Sequence, residues 1–266
     1  MSIDIHPSAF VDSKAQIADG VKIGPLCVVG PDVKLAENVH LVSQVNIAGN
    51  TEIGEGCTFY PFVSLGHPPQ DFKHKGGPVS LKIGARTVLR ELVNIHPGTD
   101  AGRPQTVVGD DCYFMVGTHL AHEGKVGNKV VLSNGTQVGG CVTIDDNVVI
   151  GGLCAVHQYT RIGRNAFIGG MTTVVKDVIP FGISVGNQQQ LTGLNVVGLK
   201  RSGFEREEIH EIRSAYKLIF AGEGNFQDRL RQAADTYADN QQVVQMVEFI
   251  KSQDKRPICL PEGAGI

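Results

Sequence analysis

The chain has 266 residues, 41% of them hydrophobic and 19% charged, enough apolar material for a packed core and too much for a disordered polymer. A formal charge of −3 argues against a nucleic-acid binder, which needs a basic excess to neutralise phosphates. Glycine reaches 33 residues and tryptophan is absent, a mix that points to many tight corners around small aliphatic side chains.

At the N-terminus, MSIDIHPSAF has neither the basic start nor the unbroken apolar stretch of a secretory leader. No run approaches the 18 or so apolar residues that span a bilayer, so no integral membrane segment is expected. Cys27, Cys57, Cys112, Cys141, Cys154 and Cys259 are scattered without a CxxC pair. Free thiols in a reducing cytoplasm are the simplest expectation.

A six-residue rhythm begins at Val11 and runs through Ile17, Ile23, Val29, Leu35, Leu41, Ile47, Ile53 and Phe59 to Leu65. After Ile83, Leu89 and Ile95 it resumes at Val108 and continues without a miss to Val174. Two residues before each marker of the second series stands a small residue or valine, such as Thr106, Thr118, Val130 or Cys154. Glycine often follows the marker directly, as at Gly24, Gly54, Gly127 and Gly163, and is expected to supply the corner backbone. Short strands and sharp corners at this period make a parallel β-helix prism, with three hexads per turn and residues 18 apart stacked about 4.8 Å apart. The pattern itself carries no handedness.

Two segments rich in Pro, Gly and charge interrupt the rhythm, at residues 66–82 and 96–107, and are expected to leave the prism as functional loops. Beyond Val174 the rhythm stops. Ile209, Ile212, Tyr216, Ile219 and Phe220 fall on one helical face, and Val243, Val244, Val247 and Ile250 on another. The expected organisation is therefore a β-helix over residues 1–189 and an α-helical unit over 190–266 that covers the last open coil.

The polar residues that break the apolar pattern concentrate in GTHLAHEGKVGN, residues 117–128. His119 and His122 flank the inward marker Leu120, and Glu123 follows His122. Adding 18 and 36 to His122 gives Gly140 and Gln158, and adding 18 to Glu123 gives Cys141, with His157 beside Gln158. A neutral imidazole suits removal of a proton from a hydroxyl, a neighbouring carboxylate orients it, and a glycine N–H approaches an oxyanion closely. These are parts for acyl transfer. A metal site on His119, His122 and His157 is the rival use of the same column.

The hexad solenoid, QDFKHKGG, IHPGT, HLAHEGKVGN, GGLCAVHQYTRIG and GLNVVGLKRSGF, in this order over nearly the whole chain, resemble the bacterial UDP-N-acetylglucosamine O-acyltransferase family of lipid A synthesis. The resemblance implies a mainly β, left-handed parallel β-helix with a C-terminal helical unit, assembled as a homotrimer with sites between subunits. It implies a cytoplasmic enzyme, without metal or cofactor, that moves a 3-hydroxyacyl group from the phosphopantetheine of acyl carrier protein to the sugar 3-position. By motif match His122 is the general base, Glu123 its support and Gly140 the oxyanion donor. Gln70, Asp71, Phe72, Lys73, His119, Cys141, His157, Gln158, Asn195 and Arg201 fall at sugar-nucleotide positions. His96, Gly170 and Met171 fall along the acyl chain, with Gly170 at the position that measures its length and an open glycine implying about fourteen carbons. Lys200, Arg213 and Lys217, with Arg201, present the positive face an acidic carrier protein needs. The family commonly has Asp at Glu123, His at Cys141, Glu at Val197 and Arg at Ser202.

Three other readings share these features. They are a transferase for the 3-amino analogue of the sugar, a coenzyme A-dependent hexapeptide acyltransferase, whose Gly-Asn-Pro turn here reads Gly186, Asn187, Gln188, and a zinc-dependent carbonic anhydrase. A non-catalytic scaffold is the fourth.

Overall fold

The computed structural model describes residues 2–263. Its strands are mostly two residues long and form three parallel faces, a first of eleven strands, a second of nine and a third of eight. From Val11 to Val174 the last residue of each strand is the sequence marker. Leu41, Ile47, Phe59, Leu89, Leu120 and Ile150 are buried, while the residue before the marker, such as His40 or Lys125, faces outward. Each buried aliphatic side chain contributes roughly 1.5–3 kcal/mol, and a continuous column of them supports every coil.

The register follows the 18-residue step: His119 pairs with Gln137, Gln137 with Ala155 and Ala155 with Thr173. Where loops intervene, Thr58 pairs with Val88 and Asn94 with His119. The extra residues leave after Leu65 and Ile95 on the second face and return to the third, so both loops replace the same corner of the prism. They are shorter than expected. Ser80–Ile83 and Gln105–Val108 are already strands, paired with each other, with Ser80–Ile83 also paired with Asn50–Ile53, leaving 66–79 and 96–104 outside.

The corners correct one expectation. The glycines after the markers, Gly66 (φ 72°) apart, have ordinary φ; a Cβ on Gly24 would lie 1.8 Å from the Val42 carbonyl oxygen, and one on Gly54 2.6 Å from Ala85 N. Glycine is needed there because stacked coils touch, not because the chain must turn left-handed. The left-handed residue stands three places after the marker and usually bears a side chain, as at Leu26 (φ 56°), Arg86 (φ 55°), Glu123 (φ 63°), Cys141 (φ 59°) and Tyr159 (φ 65°). Such backbone costs about 1–3 kcal/mol where nothing offsets it. Here the preceding coil does: Cys141 N–H donates to the His122 carbonyl and Tyr159 N–H to the Gly140 carbonyl, each at 3.0 Å.

The three corners differ in chemistry. Between the first and second faces stand Leu26, Phe62, Leu92, Leu153 and Met171, all exposed. Between the third and first stand Asn38, Arg86, Asp111, Lys129, Asn147 and Asn165. Between the second and third, beneath the loops, stand Glu123, Cys141 and Tyr159.

Past Val174, Gly182–Val185 joins the first face and pairs antiparallel with Gln190–Leu194, so the chain leaves the sheets only at Asn195. Helices α1 (Val196–Arg201), α2 (Arg206–Ala221), α3 (Phe226–Thr236) and α4 (Gln241–Lys251) follow. Glu205 and Glu208 form a capping box on α2, and Asn225 and Asn240 cap α3 and α4. The apolar faces read from sequence are those of α2 and α4, with Tyr216 and Val244 partly buried at the edges. α1 and α3 were not legible; α3 buries only Phe226, Leu230 and Ala233, too thin a stripe to stand out. The helices are tied to the prism by Arg161, which bonds the buried Asp177 at 2.6 Å, the Phe249 carbonyl at 3.1 Å and Ser252 Oγ at 2.9 Å. The last three residues of the 190–266 unit, 264–266, lie outside the described residues.

Candidate active site

Glu123 sits at the loop-covered corner and is buried. Its Oε1 accepts from Thr99 Oγ1 at 2.5 Å and meets His122 Nδ1 at 3.2 Å, while Oε2 accepts from Arg103 N–H at 2.7 Å and from the Cys141 thiol at 3.3 Å. Burial alone pushes this carboxyl up, but the donors from Thr99, Arg103, Cys141 and His122 outweigh it and hold Glu123 below the usual range. An anionic Glu123 takes the Nδ1 proton of neutral His122 as its hydrogen-bond donor and leaves Nε2 as the basic lone pair. Nε2 lies 3.9 Å from Asp71 Oδ2, too far for a hydrogen bond, and so is open to a ligand.

The +18 relation holds in space. A Cβ on Gly140 would fall 2.6 Å from His122 Cε1, so the imidazole lies directly against Gly140. The Gly140 N–H has no hydrogen-bond partner among the described residues. Burial, with Glu123 next, pushes the Cys141 thiol up to about 11, and Cys141 in turn raises the Tyr159 hydroxyl.

A second group of imidazoles lines the adjoining face. His96 packs edge-on against His119 with ring centroids 4.9 Å apart, and Gln70 N–H reaches His96 Nδ1 at 3.4 Å. Burial first, and then the neighbouring His119, His122 and His67, push His96 down to about 4; burial likewise lowers His119. Both are neutral at physiological pH. The loop bearing Gln70, Asp71, Phe72 and Lys73 is held by Asp100, which accepts from Lys75 and Gly77 N–H and meets His74 Nδ1 at 3.0 Å. Lys73 N–H closes a turn on Asp71 at 2.9 Å, and Phe72 is fully exposed. Thr99, Asp100, Arg103 and Arg256 were not read from the sequence. Arg256 comes from the tail to bond the Gln158 carbonyl at 3.0 Å and His157 Nδ1 at 2.6 Å.

Other expected residues lie elsewhere within the chain. Asn195 caps α1 and donates to the Asn165 carbonyl, which places it and the α1 residues Lys200 and Arg201 at the polar corner, away from His122. Asn165 also donates to Ser202 Oγ, and Val197 is exposed. Gly170 and Met171 lie at the apolar corner, whereas His96 lies with the histidines. Lys200 and Arg213 line a groove of about 580 Å³ with Arg206 and His210 over Val196, Phe204 and Ile209; Lys217 stands one turn along α2 from Arg213. Among the described residues, the compact grouping of potential metal ligands is His122, Glu123 and Cys141, not the three histidines.

Over 260 residues the chain is 50% identical to an acyl-[acyl-carrier-protein]–UDP-N-acetylglucosamine O-acyltransferase of Caulobacter vibrioides, covering 98% of this chain and 99% of the relative. The chain belongs to that family. The O-acyltransferase of the same name from Rhizobium johnstonii is 44% identical over 98% of this chain and 96% of its own. The crystal structure of the Francisella novicida UDP-N-acetylglucosamine acyltransferase superposes with a TM-score of 0.93 at 32% identity, over 97% and 95% of the two chains. The family model described as UDP N-acetylglucosamine O-acyltransferase, domain 2, matches residues 177–259, which hold the hairpin and the helices of this acyltransferase. The expected fold is found: a left-handed parallel β-helix followed by helices. Among the described residues of this O-acyltransferase, no helix is long and apolar enough to cross a membrane.

Proposed function

We propose that this enzyme transfers a 3-hydroxyacyl group from acyl carrier protein to the 3-hydroxyl of UDP-N-acetylglucosamine, the first step of lipid A synthesis, with His122 as general base. The observation that carries this reading is the Glu123–His122–Gly140 geometry, a saturated carboxylate fixing Nδ1–H while Nε2 stays open and the ring packs against Gly140, whose N–H is unpartnered among the described residues. Nε2 takes the proton of the sugar hydroxyl as its oxygen attacks the thioester carbonyl. The tetrahedral oxyanion is met by Gly140 N–H. On collapse the C–S bond breaks, the phosphopantetheine sulfur leaves and takes its proton from His122. The relatives' names specify a carrier-protein donor and the N-acetylglucosamine acceptor, which favours this reading over a coenzyme A donor or a 3-amino acceptor. No cofactor enters any step.

Asp71 with Gln70, Phe72 and Lys73, and His119 with His157 and Gln158, would hold the sugar nucleotide. Asn195 and Arg201 stand at a different corner from His122, so they serve the same substrate only if a neighbouring subunit supplies them. A homotrimer packed on the exposed apolar corner Leu26, Phe62, Leu92, Leu153 and Met171 provides that neighbour, and in it the acyl chain would run from His96 towards Gly170 and Met171. The basic groove of Lys200, Arg206 and Arg213, with Lys217 beyond it, fits an acidic carrier protein. The free cysteines accord with a cytoplasmic site of action.

Purified protein incubated with UDP-N-acetylglucosamine, its 3-amino analogue and 3-hydroxyacyl carrier proteins of ten to fourteen carbons tests this directly. Ester formed from the fourteen-carbon donor, and its loss in His122→Ala, is expected. Absence of product with every donor removes the reading, and an unchanged chain-length preference in Gly170→Met removes the role of Gly170.

A further inference from the structure

The corner that fixes the general base also has the composition and spacing of a metal tripod. His122, Glu123 and Cys141 each offer one ligand atom, and these atoms all lie within 4.8 Å of one another. Zinc binds nitrogen and carboxylate oxygen at about 2.0–2.2 Å and sulfur at about 2.3 Å, so ligand atoms on a tetrahedron stand roughly 3.3–3.6 Å apart. With Oε1 as the carboxylate ligand the edge to Nδ1 already matches at 3.2 Å, and with Oε2 the edge to Sγ matches at 3.3 Å. The other two edges close by at most about 1.5 Å, within reach of side-chain rotation. Thr99 Oγ1 and Arg103 N–H hold the carboxylate from the loop, the kind of outer support that ligating carboxylates have. A cavity of about 270 Å³, lined in part by Glu123, Cys141, Tyr159 and Arg103, opens onto the sulfur and gives an ion its path.

We propose that His122, Glu123 and Cys141 form a site for a soft divalent cation of the zinc type, and that occupancy switches the enzyme off by fixing the wrong tautomer of His122. The metal takes the Nδ1 lone pair, a Glu123 oxygen and the Cys141 thiolate, with water completing the shell. The Nδ1 proton reappears on Nε2 and the thiol proton goes to solvent, so one proton is released per ion. With Nε2 protonated, no lone pair remains for the sugar hydroxyl. Cys141 is what makes the corner thiophilic, because carboxylate and imidazole alone do not select zinc over harder ions. Inhibition rests on the role proposed for His122; binding does not.

The two are tested separately on the full-length protein. Titration with Co²⁺ is expected to give a thiolate-to-cobalt charge-transfer absorption that saturates at one ion per chain. The band should vanish in both Cys141→Ala and Cys141→Ser, and His122→Ala should weaken binding about tenfold or more. No band in the wild-type protein overturns the site. In the acyl-transfer assay Zn²⁺ should inhibit, a chelator should restore the rate, and each Cys141 variant, measured against its own zinc-free rate, should need about tenfold more zinc. A charge-transfer band without inhibition overturns the tautomer switch and leaves the site. A protein that shows the band but acylates nothing refutes the assigned reaction instead.

Discussion

Two corners of the prism share one backbone and differ in what covers them. At the polar corner Arg86 bonds Asp111 at 2.7 Å and 2.9 Å, a bidentate pair, yet both side chains are more than a third exposed. At the loop-covered corner Glu123 collects donors at 2.5, 2.7, 3.2 and 3.3 Å, and it is buried. Solvent screens the first set and not the second, so ion pairing that contributes little at one edge sets the tautomer of the proposed general base at the other. The winding supplies the positions; the two inserted loops supply the burial.

The largest test of this contrast removes charge from the covered corner. Glu123→Gln keeps the shape but no longer stabilises the imidazolium, and kcat should fall about 10³-fold with KM little changed. Comparable KM and kcat effects would show that Glu123 acts on binding instead.

A second test uses acid. His96 is neutral in the fold and is pushed down to about 4, whereas an unfolded histidine titrates near 6.5. Its depressed value means that the unfolded chain takes up the proton first as pH falls. Its contribution to stability is full above about 6.5 and is lost between there and about 4. That loss amounts to up to about 3 kcal/mol, read as the pH dependence of urea unfolding. His96→Gln should flatten that segment of the curve.

Next comes Gly140→Ala. Its Cβ would fall 2.6 Å from the His122 ring, so the imidazole must move, and kcat should drop about 10²-fold while the thermal midpoint changes little. Thr99→Val is milder. It deletes one donor to Glu123, lets the carboxyl titrate at higher pH and lowers kcat about tenfold, and the acid limb of the pH–rate profile should shift upward. Thr99→Ser, which restores the hydroxyl, should recover most of both.

The sequence displayed some of this plainly. Leu120, Val138 and Val156 announce the winding, and because no insertion separates their coils, adding 18 carries His122 onto Gly140 and Glu123 onto Cys141. The same arithmetic fails across residues 66–79 and 96–104. Thr99, Asp100 and Arg103 reach the site only through loops of irregular length, and no period marks them. Arg256 arrives from the chain's far end, and its contact with His157 depends on where the helices dock. The left-handed corners were also misread, since glycine drew attention to the position after each marker. The turn instead uses Leu26, Glu123 or Tyr159, whose side chains carry no sign of it and whose strain is offset by hydrogen bonds from the adjoining coil.

The smallest expected effect is the most telling for the comparison. Asp111→Asn breaks the bidentate pair with Arg86 at the polar corner. Glu55 and Asp110 lie 3.5 Å and 3.7 Å from the same guanidinium and keep it in a negative field. Exposed pairs of this kind contribute little because water screens them, and the loss should shrink as salt is raised. Acyl transfer should be unaltered, since this corner is a full face away from Glu123. A loss of stability as large as that of a buried pair, or one insensitive to salt, would mean that the polar edge is desolvated after all and that burial under the loops is not what separates the two corners.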